Sequence, residues 1–265
     1  MAQVHAVAAA RDVVLWKPQG SAPAGGFPVI VFSHGFTGCA TQSKFLTEAL
    51  AHAGYFVIAP NHRDARCGRG GFPQPEESFG KAQDWSQATY KDRASDVRAV
   101  LDAVLAEKTF QGVPVDGERV ALAGHSLGGY TVLGLAGAWP DWKDRRIKAV
   151  LALSPFCNPF VSKGDLPDLK IPVMYQGGTR DLGITPSVRR LSGAYDRSSA
   201  PKYYVELRGA GHFAWSDLNP KFQAIISEYG VAFFDQYLKK SPDRLQRMTR
   251  QPLPDLVSFL RSELK

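Results

Sequence analysis

Long apolar runs, cysteine and clustered metal ligands are all scarce in this sequence. No apolar stretch approaches the roughly 20 residues that a membrane-spanning helix requires. The chain has three cysteines, with no CxxC pair and no Cys/His cluster at the spacing of a zinc site. These absences predict a protein with no membrane span and no metal site.

A block of basic residues interleaved with aromatic residues is also missing. Lys and Arg number 32 against 25 Asp and Glu, which gives a net charge of +7 and a pI near 9.3. The charges are scattered, with short pairs such as Arg145 and Arg146 rather than a long run. The composition therefore favours a solvated basic surface and gives no support to nucleic-acid binding.

Two features leave the cellular compartment open. Cys39 and Cys67 fall in loops after adjacent predicted strands, so the sequence is compatible both with a disulfide and with two reduced thiols. A disulfide would favour an exported protein. The apolar stretch in residues 1–10 has no basic region and is too short for a signal peptide. We expect either a cytoplasmic protein or an exported one whose leader has been removed.

Apolar runs of the buried-strand type alternate with amphipathic segments along nearly the whole chain of 265 residues. The predicted strands are 12–17 (at the sheet edge), 28–33, 55–59, 119–123, 147–153, 171–176 and 202–207. The predicted helices are 41–53, 92–107, 130–138, 186–195, 218–238 and 253–264.

This alternation predicts the α/β class, with a mostly parallel central sheet covered by helices on both faces. We expect one domain over 1–265 without a large cap, its core at about 28–238 and a C-terminal extension at 240–265. The long polar loop 61–90 is expected to form a pocket wall or lid. Ligands of such sheets bind at the carboxyl ends of the strands.

The pattern Gly-His-Ser-Leu-Gly at 124–128 lies between a predicted buried strand and a predicted helix. A G-x-S-x-G in that setting is typical of a nucleophile elbow, a sharp turn that exposes the serine hydroxyl. Ser126 is therefore the predicted nucleophile. A serine needs a base to remove its proton, and the usual base is a histidine oriented by a carboxylate.

His212 is the predicted base among six histidines, because it lies on a glycine-rich loop just after the last predicted strand. His5 falls in an N-terminal segment expected to be loose, and His52 ends a helix. His125 lies inside the elbow, where it is expected to point away from the hydroxyl. The remaining two, His34 and His62, follow earlier strands, and His34 is better explained as part of an oxyanion loop.

Asp181 is the predicted orienting acid, because it follows the strand at 171–176 and completes the order Ser126, Asp181, His212. That is the chain order of α/β-hydrolases. Asp165 and Asp168 are rivals that precede the strand. A third rival, Asp217, is interpreted as the N-cap of the helix that follows it.

The negatively charged oxygen of a tetrahedral intermediate needs two hydrogen-bond donors. The backbone N–H of Leu127, the residue after the nucleophile, is the first predicted donor. The N–H of Phe36, in the glycine-flanked loop 34–38 after an early strand, is the second. Six apolar residues near this rim are predicted to line a substrate pocket, with ordinary core packing as the alternative for each: Phe36, Phe156, Leu182, Ile184, Phe213 and Trp215.

With these residues in place, the sequence resembles the α/β-hydrolase superfamily, and within it the dienelactone-hydrolase-like and platelet-activating-factor-acetylhydrolase-like bacterial esterases. These are related to the cutinase-like polyester hydrolases. The likeness covers about 28–238 and rests on the segments 31–38, 54–64, 124–129, 176–181 and 209–212. It implies hydrolysis of carboxylic esters without a cofactor.

The sequence departs from these relatives at two places. A dienelactone hydrolase proper is expected to carry a cysteine where this chain has Ser126, which argues against dienelactone as the substrate. Polyester hydrolases tend to place a tryptophan in the stretch that here reads Ser-Pro-Phe-Cys, at 154–157. We therefore expect a serine esterase acting on small esters with short to medium acyl chains.

Lipase or polyester hydrolase activity and serine amidase or peptidase activity remain the alternative functions. A non-catalytic binding protein with a hydrolase fold is a third alternative. Nothing in the sequence predicts the oligomeric state.

Overall fold

The computed structural model of the chain describes residues 3–9, 11–67, 71, 73–164, 166, 168–250 and 257–263. The strands are β1 (Gln3–Ala8), β2 (Arg11–Trp16), β3 (Phe27–Ser33), β4 (Phe56–Pro60), β5 (Thr109–Phe110), β6 (Val113–His125), β7 (Ile147–Leu153), β8 (Val173–Gly178), β9 (Lys202–Leu207) and β10 (Val257–Glu263). The α-helices are α1 (Lys44–His52), α2 (Lys91–Leu105), α3 (Leu127–Leu133), α4 (Asn158–Lys163), α5 (Thr185–Arg189), α6 (Ala194–Arg197), α7 (Gln223–Leu238) and α8 (Asp243–Arg250).

The strands form one mixed sheet in the order β1-β2-β4-β3-β6-β7-β8-β9-β10, with β5 paired to the start of β6. The six strands from β4 to β9 in this order run parallel. β2 and β10 flank them in antiparallel pairings, and β1 pairs antiparallel with β2. In the carboxyl-terminal halves of the parallel strands, nearly every residue is buried, as expected for a sheet covered on both faces.

Helices cover both faces of the sheet and form two separate apolar cores. On one face, Val97, Val100 and Leu101 of α2 are buried with residues of α3 and α4. On the other face, side chains of α1, α7 and α8 pack together, among them Leu50 and Phe233. The predicted α/β class and mostly parallel sheet are confirmed. Within the described residues, every helix is too short or too polar to cross a membrane.

Several predicted elements differ from the structure. The strand predicted at the sheet edge corresponds to β2, but β2 is not the edge strand. The edge is formed by β1, which contains His5 and pairs with β2. The helix predicted at 186–195 is two short helices, because the chain bends between Arg190 and Gly193. The predicted helix at 253–264 is wrong over 257–263, where β10 supplies hydrogen-bond partners to the outer edge of β9. Residues 253–256 and 264 lie outside the described part of the chain.

In its described residues, the loop between β4 and α2 contains one short 3₁₀ turn, Ala82–Asp84, and Trp85 anchors the loop on the core. Cys39 and Cys67 do not form a disulfide. The sulfur of Cys39 lies 3.1 Å from the Thr41 hydroxyl oxygen. That of Cys67 lies 3.5 Å from the side-chain oxygen of Asn61.

Candidate active site

Ser126 occupies a strained turn between β6 and α3. Its backbone has φ 55° and ψ −116°, in the left-handed range of φ that favours glycine. The turn is tight because α3 begins at the next residue and its first turn packs on the end of β3. A Cβ on Gly128 would lie 1.9 Å from the carbonyl oxygen of Ser33, so only glycine fits there. This is the geometry of the predicted elbow, and Ser126 stands at the carboxyl edge of the sheet.

The structure brings Ser126, His212 and Asp181 together from the ends of β6, β9 and β8. His212 Nε2 lies 2.9 Å from the hydroxyl oxygen of Ser126. On the other side of the ring, Nδ1 lies 3.3 Å from Asp181 Oδ1. A further hydrogen bond, from the N–H of Arg180 to the carbonyl of Ala210 at 2.9 Å, ties the Asp181 loop to the His212 loop. The arrangement suits proton transfer from the serine to the histidine.

Ser154 is a member of this cluster that the sequence reasoning missed. Its hydroxyl oxygen lies 2.9 Å from His212 Nδ1, and its hydroxyl donates a hydrogen bond to Asp181 Oδ2. Thr185 donates to the same carboxylate oxygen at 3.3 Å. Ser154 follows β7 directly, so its place at a strand end on the same rim was the signal that could have identified it.

The environment of Asp181 keeps its carboxylate charged. Burial alone would raise the pKa of Asp181, but hydrogen bonds from His212 and Ser154, with the attraction of the His212 ring, bring it below its ordinary value. The two rival acids in the described part of the chain do not reach the site. Asp168 is exposed, and Asp217 accepts the first backbone N–H groups of α1 rather than capping the helix after it. The third rival, residue 165, lies outside the described residues.

In the loop after β3, the backbone N–H groups on either side of Phe36 are paired. The N–H of Gly35 donates to Gln42, that of Thr37 to Asp64, and that of Gly38 back to the Gly35 carbonyl. Among the described residues, the N–H groups of Phe36 and Leu127 have no protein acceptor. Both are therefore available to a bound oxygen, as the oxyanion prediction requires.

A buried ion pair supports this loop from below. Arg93 is fully buried and forms two hydrogen bonds with the carboxylate of Asp64, at 2.9 and 2.8 Å. The same guanidinium donates to the carbonyl of His34 at 2.7 Å. Burial would raise the pKa of Asp64, but the charge and hydrogen bonds of Arg93 lower it to about 2. The sequence reasoning did not identify Arg93, because its partners come from a distant loop.

The other buried histidines serve as structural hydrogen-bonding groups. Burial and the nearby Arg93 lower the pKa of both His34 and His62 well below the ordinary value. His62 bridges the hydroxyl of Ser33 and the carboxylate of Asp96, at 2.9 and 3.0 Å. Neither ring contacts Ser126, so the choice of base from the sequence is consistent with the geometry.

A cleft of about 770 Å³ opens in front of Ser126. Five of the six predicted pocket residues line it: Phe36, Phe156, Leu182, Ile184 and Phe213. The sixth, Trp215, does not, because the 3₁₀ turn that begins at His212 directs it into the core, where it is fully buried. There its indole N–H donates to Gln176 at 3.0 Å.

Phe79 is a cleft residue that the sequence reasoning did not name. It comes from the loop after β4, and its ring contacts those of Phe36 and Phe156, with centroids 5.4 and 5.1 Å away. Four phenylalanines therefore line the cleft: Phe36, Phe79, Phe156 and Phe213. In the described part of the chain, no group of three or more His, Cys, Asp or Glu side chains is arranged to hold a metal ion.

The chain is similar in sequence to several known hydrolases. Cutinase est1 of Thermobifida alba is 27% identical over 235 residues, covering 88% of this chain and 68% of that protein. Cutinase 2 of Thermobifida cellulosilytica is 26% identical over 215 residues, 80% of this chain and 69% of the other. Phospholipase A1 1 of Dolichovespula maculata is 31% identical over 144 residues, 52% of this chain and 41% of that protein. Residues 30–260 match the Alpha/beta hydrolase family. With a Ser-His-Asp cluster at the carboxyl edge of its parallel sheet, the chain belongs to the alpha/beta hydrolase family.

Proposed function

We propose that this protein is a serine hydrolase that cleaves carboxylic esters through an acyl-enzyme intermediate. The observation that carries the proposal is the 2.9 Å contact between the hydroxyl of Ser126 and Nε2 of His212 at a strained elbow. The Asp181 carboxylate beside Nδ1 supplies the third group. The cutinase relatives support ester hydrolysis as the reaction class.

In the first step, Ser126 Oγ attacks the ester carbonyl carbon while His212 Nε2 takes the hydroxyl proton. Asp181 and Ser154 stabilise the resulting imidazolium at Nδ1. The tetrahedral intermediate collapses when the imidazolium gives its proton to the leaving alcohol oxygen, and the C–O bond breaks. The acyl group is then an ester of Ser126.

In the second step, a water molecule gives a proton to His212 Nε2 and attacks the acyl carbon. Collapse of the second intermediate returns the proton to Ser126 Oγ and releases a carboxylic acid. In both steps the negative oxygen is held by the N–H groups of Phe36 and Leu127, which have no acceptor among the described residues. Loss of one such donor costs on the order of 3 kcal/mol in the barrier.

The cleft supports esters of short to medium acyl chains as substrates. Its 770 Å³ and its aromatic walls match a site for a small apolar molecule. Phe79 forms part of one wall, which gives the loop before α2 the role of a pocket wall. The basic groups at the rim, such as the exposed Arg180, are too few to select an acidic substrate.

Polyester hydrolysis is a second candidate, favoured by a separate observation. Leu182 and Phe213 line the cleft and yet are 78% and 62% exposed. Exposed apolar side chains beside an open cleft suit contact with an extended apolar substrate. The cutinase relatives point in the same direction.

Hydrolysis of a p-nitrophenyl ester series from acetate to palmitate, by the wild type and Ser126→Ala, tests the proposal. We expect an optimum at short to medium chains and no turnover by the variant. Polyester film assayed with the same pair tests the second candidate, with release of soluble acid as the readout. A folded wild type without ester activity would refute the proposal, and p-nitroanilide substrates would then test amide hydrolysis.

A further inference from the structure

A continuous chain of hydrogen bonds beside Ser126 joins the three loops of the site. The N–H of Gly35 donates to Gln42 Oε1 at 2.7 Å. The side-chain amide of Gln42 then donates to His125 Nδ1 at 2.9 Å. His125 Nε2 in turn donates to the backbone carbonyl of His212 at 2.9 Å. The oxyanion loop, the elbow and the histidine loop are thus connected through two side chains.

The carbonyl of His212 at one end of this hydrogen-bond chain fixes the donor and the acceptor of every hydrogen bond in it. A carbonyl only accepts, so the Nε2 that faces His212 must carry the ring proton, and Nδ1 of a neutral His125 must accept. Gln42 therefore turns its NH₂ group to the ring and its oxygen to the Gly35 N–H. Burial, with the nearby His212, lowers the pKa of His125 to about 3, so the ring keeps one donor and one acceptor at neutral pH.

The backbone of the oxyanion loop is shaped around the Gln42 amide. A Cβ on Gly38 would lie 2.5 Å from Gln42 Oε1 and 3.1 Å from the Gly35 carbonyl oxygen. Gly38 also donates its N–H to that carbonyl at 3.0 Å. A residue with a side chain at this position would displace the amide, so the glycine turn and the glutamine form one unit.

We propose that Gln42 and His125 are positioning residues that set the distance between the Phe36 N–H and the His212 ring around Ser126. The inference rests on the proposed function and deepens it. Both side chains border the cleft, but their hydrogen bonds go to the backbone of Gly35 and His212, and we infer that they act through the loops that carry these residues. A displacement of reacting groups by about 1 Å costs about 100-fold in rate, so loss of this hydrogen-bond chain should have a measurable kinetic effect.

Two substitutions of Gln42 separate positioning from simple space filling. Gln42→Ala removes the bridge and leaves room for water, and we expect kcat to fall about tenfold. Gln42→Glu keeps the shape but places an acceptor against His125 Nδ1. A ring proton on Nδ1 relieves that contact in one of two ways. A neutral ring then opposes Nε2 to the carbonyl of His212, whereas a doubly protonated ring is a cation beside His212 and disfavours the imidazolium that the reaction forms there. We expect kcat to fall about 100-fold for Gln42→Glu, with KM within about twofold for both variants.

Gln111→Glu is the matched control for the added negative charge. Gln111 is exposed in the turn between β5 and β6, at the opposite end of β6 from the elbow. We expect wild-type kcat and KM for this variant. Thermal unfolding checks that all three variants are folded at the assay temperature. A kcat that is highest for the wild type, lower for Gln42→Ala and lowest for Gln42→Glu supports the positioning role.

A Gln42→Glu variant as active as the wild type, with Gln42→Ala impaired, would show space filling and overturn the inference. Equal activity of all variants would overturn it as well. A wild type without ester hydrolysis would instead refute the proposed function. In that case, imidazole ¹⁵N spectra still test the proposed hydrogen-bond chain. A neutral His125 with its proton on Nε2 supports the hydrogen-bond chain, and titration of that ring between roughly pH 5 and 8 overturns it.

Discussion

Ser154→Ala is the most informative perturbation of the site, because Ser154 touches both His212 and Asp181 without contacting the reacting serine. The hydroxyl donates to the buried carboxylate and lies 2.9 Å from Nδ1. A hydrogen bond to a charged group contributes about 1.5–3 kcal/mol. Asp181 keeps its contacts with His212 and Thr185 in the variant, so the lower end applies. Since 1.4 kcal/mol is a factor of ten, kcat should fall about tenfold.

The stability of the same variant should depend on pH in a defined direction. The pKa of Asp181 lies below its ordinary value in the folded protein, so its contribution to stability is present above about pH 4 and is lost as pH falls through the folded pKa. Without the Ser154 hydroxyl this contribution is smaller. Wild type and variant should therefore differ by about 1–2 kcal/mol in free energy of unfolding at pH 7, and less in acid.

Steady-state hydrolysis of p-nitrophenyl butyrate at pH 7 and urea unfolding in a series from pH 7 down to about pH 2 measure both effects. Ser95→Ala is the matched control, because Ser95 is exposed on α2 and its hydroxyl donates to the Lys91 carbonyl of the same helix. We expect that control to keep wild-type kcat. A Ser154→Ala variant with kcat within twofold of wild type would refute the role assigned to this hydroxyl.

Three further predictions concern the surroundings of the site. Gly128→Ala should cost about 3 kcal/mol or more in urea unfolding, because the methyl would meet the Ser33 carbonyl at 1.9 Å, and wild-type stability would contradict the elbow packing. Arg93→Met should cost about 3–5 kcal/mol at pH 7 by leaving Asp64 buried and unpaired. That difference should close as pH falls from about 4 toward 2, where the wild-type Asp64 protonates, and a gap independent of pH would argue against the ion pair as its cause. Phe79→Ala should lower kcat/KM for octanoate about tenfold and leave acetate unchanged, whereas equal effects on both esters would remove Phe79 from the acyl wall.

The parts of the fold and site that local patterns encode were predictable from the sequence. Buried parallel strands have continuous apolar runs, so β3, β4, β7 and β9 fall close to their predicted bounds. The strained turn at Ser126 requires small neighbours, which leaves a readable G-x-S-x-G pattern.

Features that depend on packing between distant segments were not predictable from local patterns. Trp215 is a large apolar residue close to His212 in the sequence, which suits a pocket residue, but the turn that carries it directs its side chain into the core. Ser154 and Gln42 matter only through partners that the fold brings from loops far away in the sequence. The strand β10 forms because β9 offers it an edge, which its own sequence does not reveal.

The identity of the nucleophile is the central claim, and fluorophosphonate labelling followed by peptide mass spectrometry tests it most directly. The reagent forms a stable adduct with a serine that an adjacent base activates. The account predicts one adduct per chain, located on Ser126, its absence in Ser126→Ala and its slow formation in His212→Ala. Labelling of a different residue, or no labelling of the folded wild type, would contradict the account.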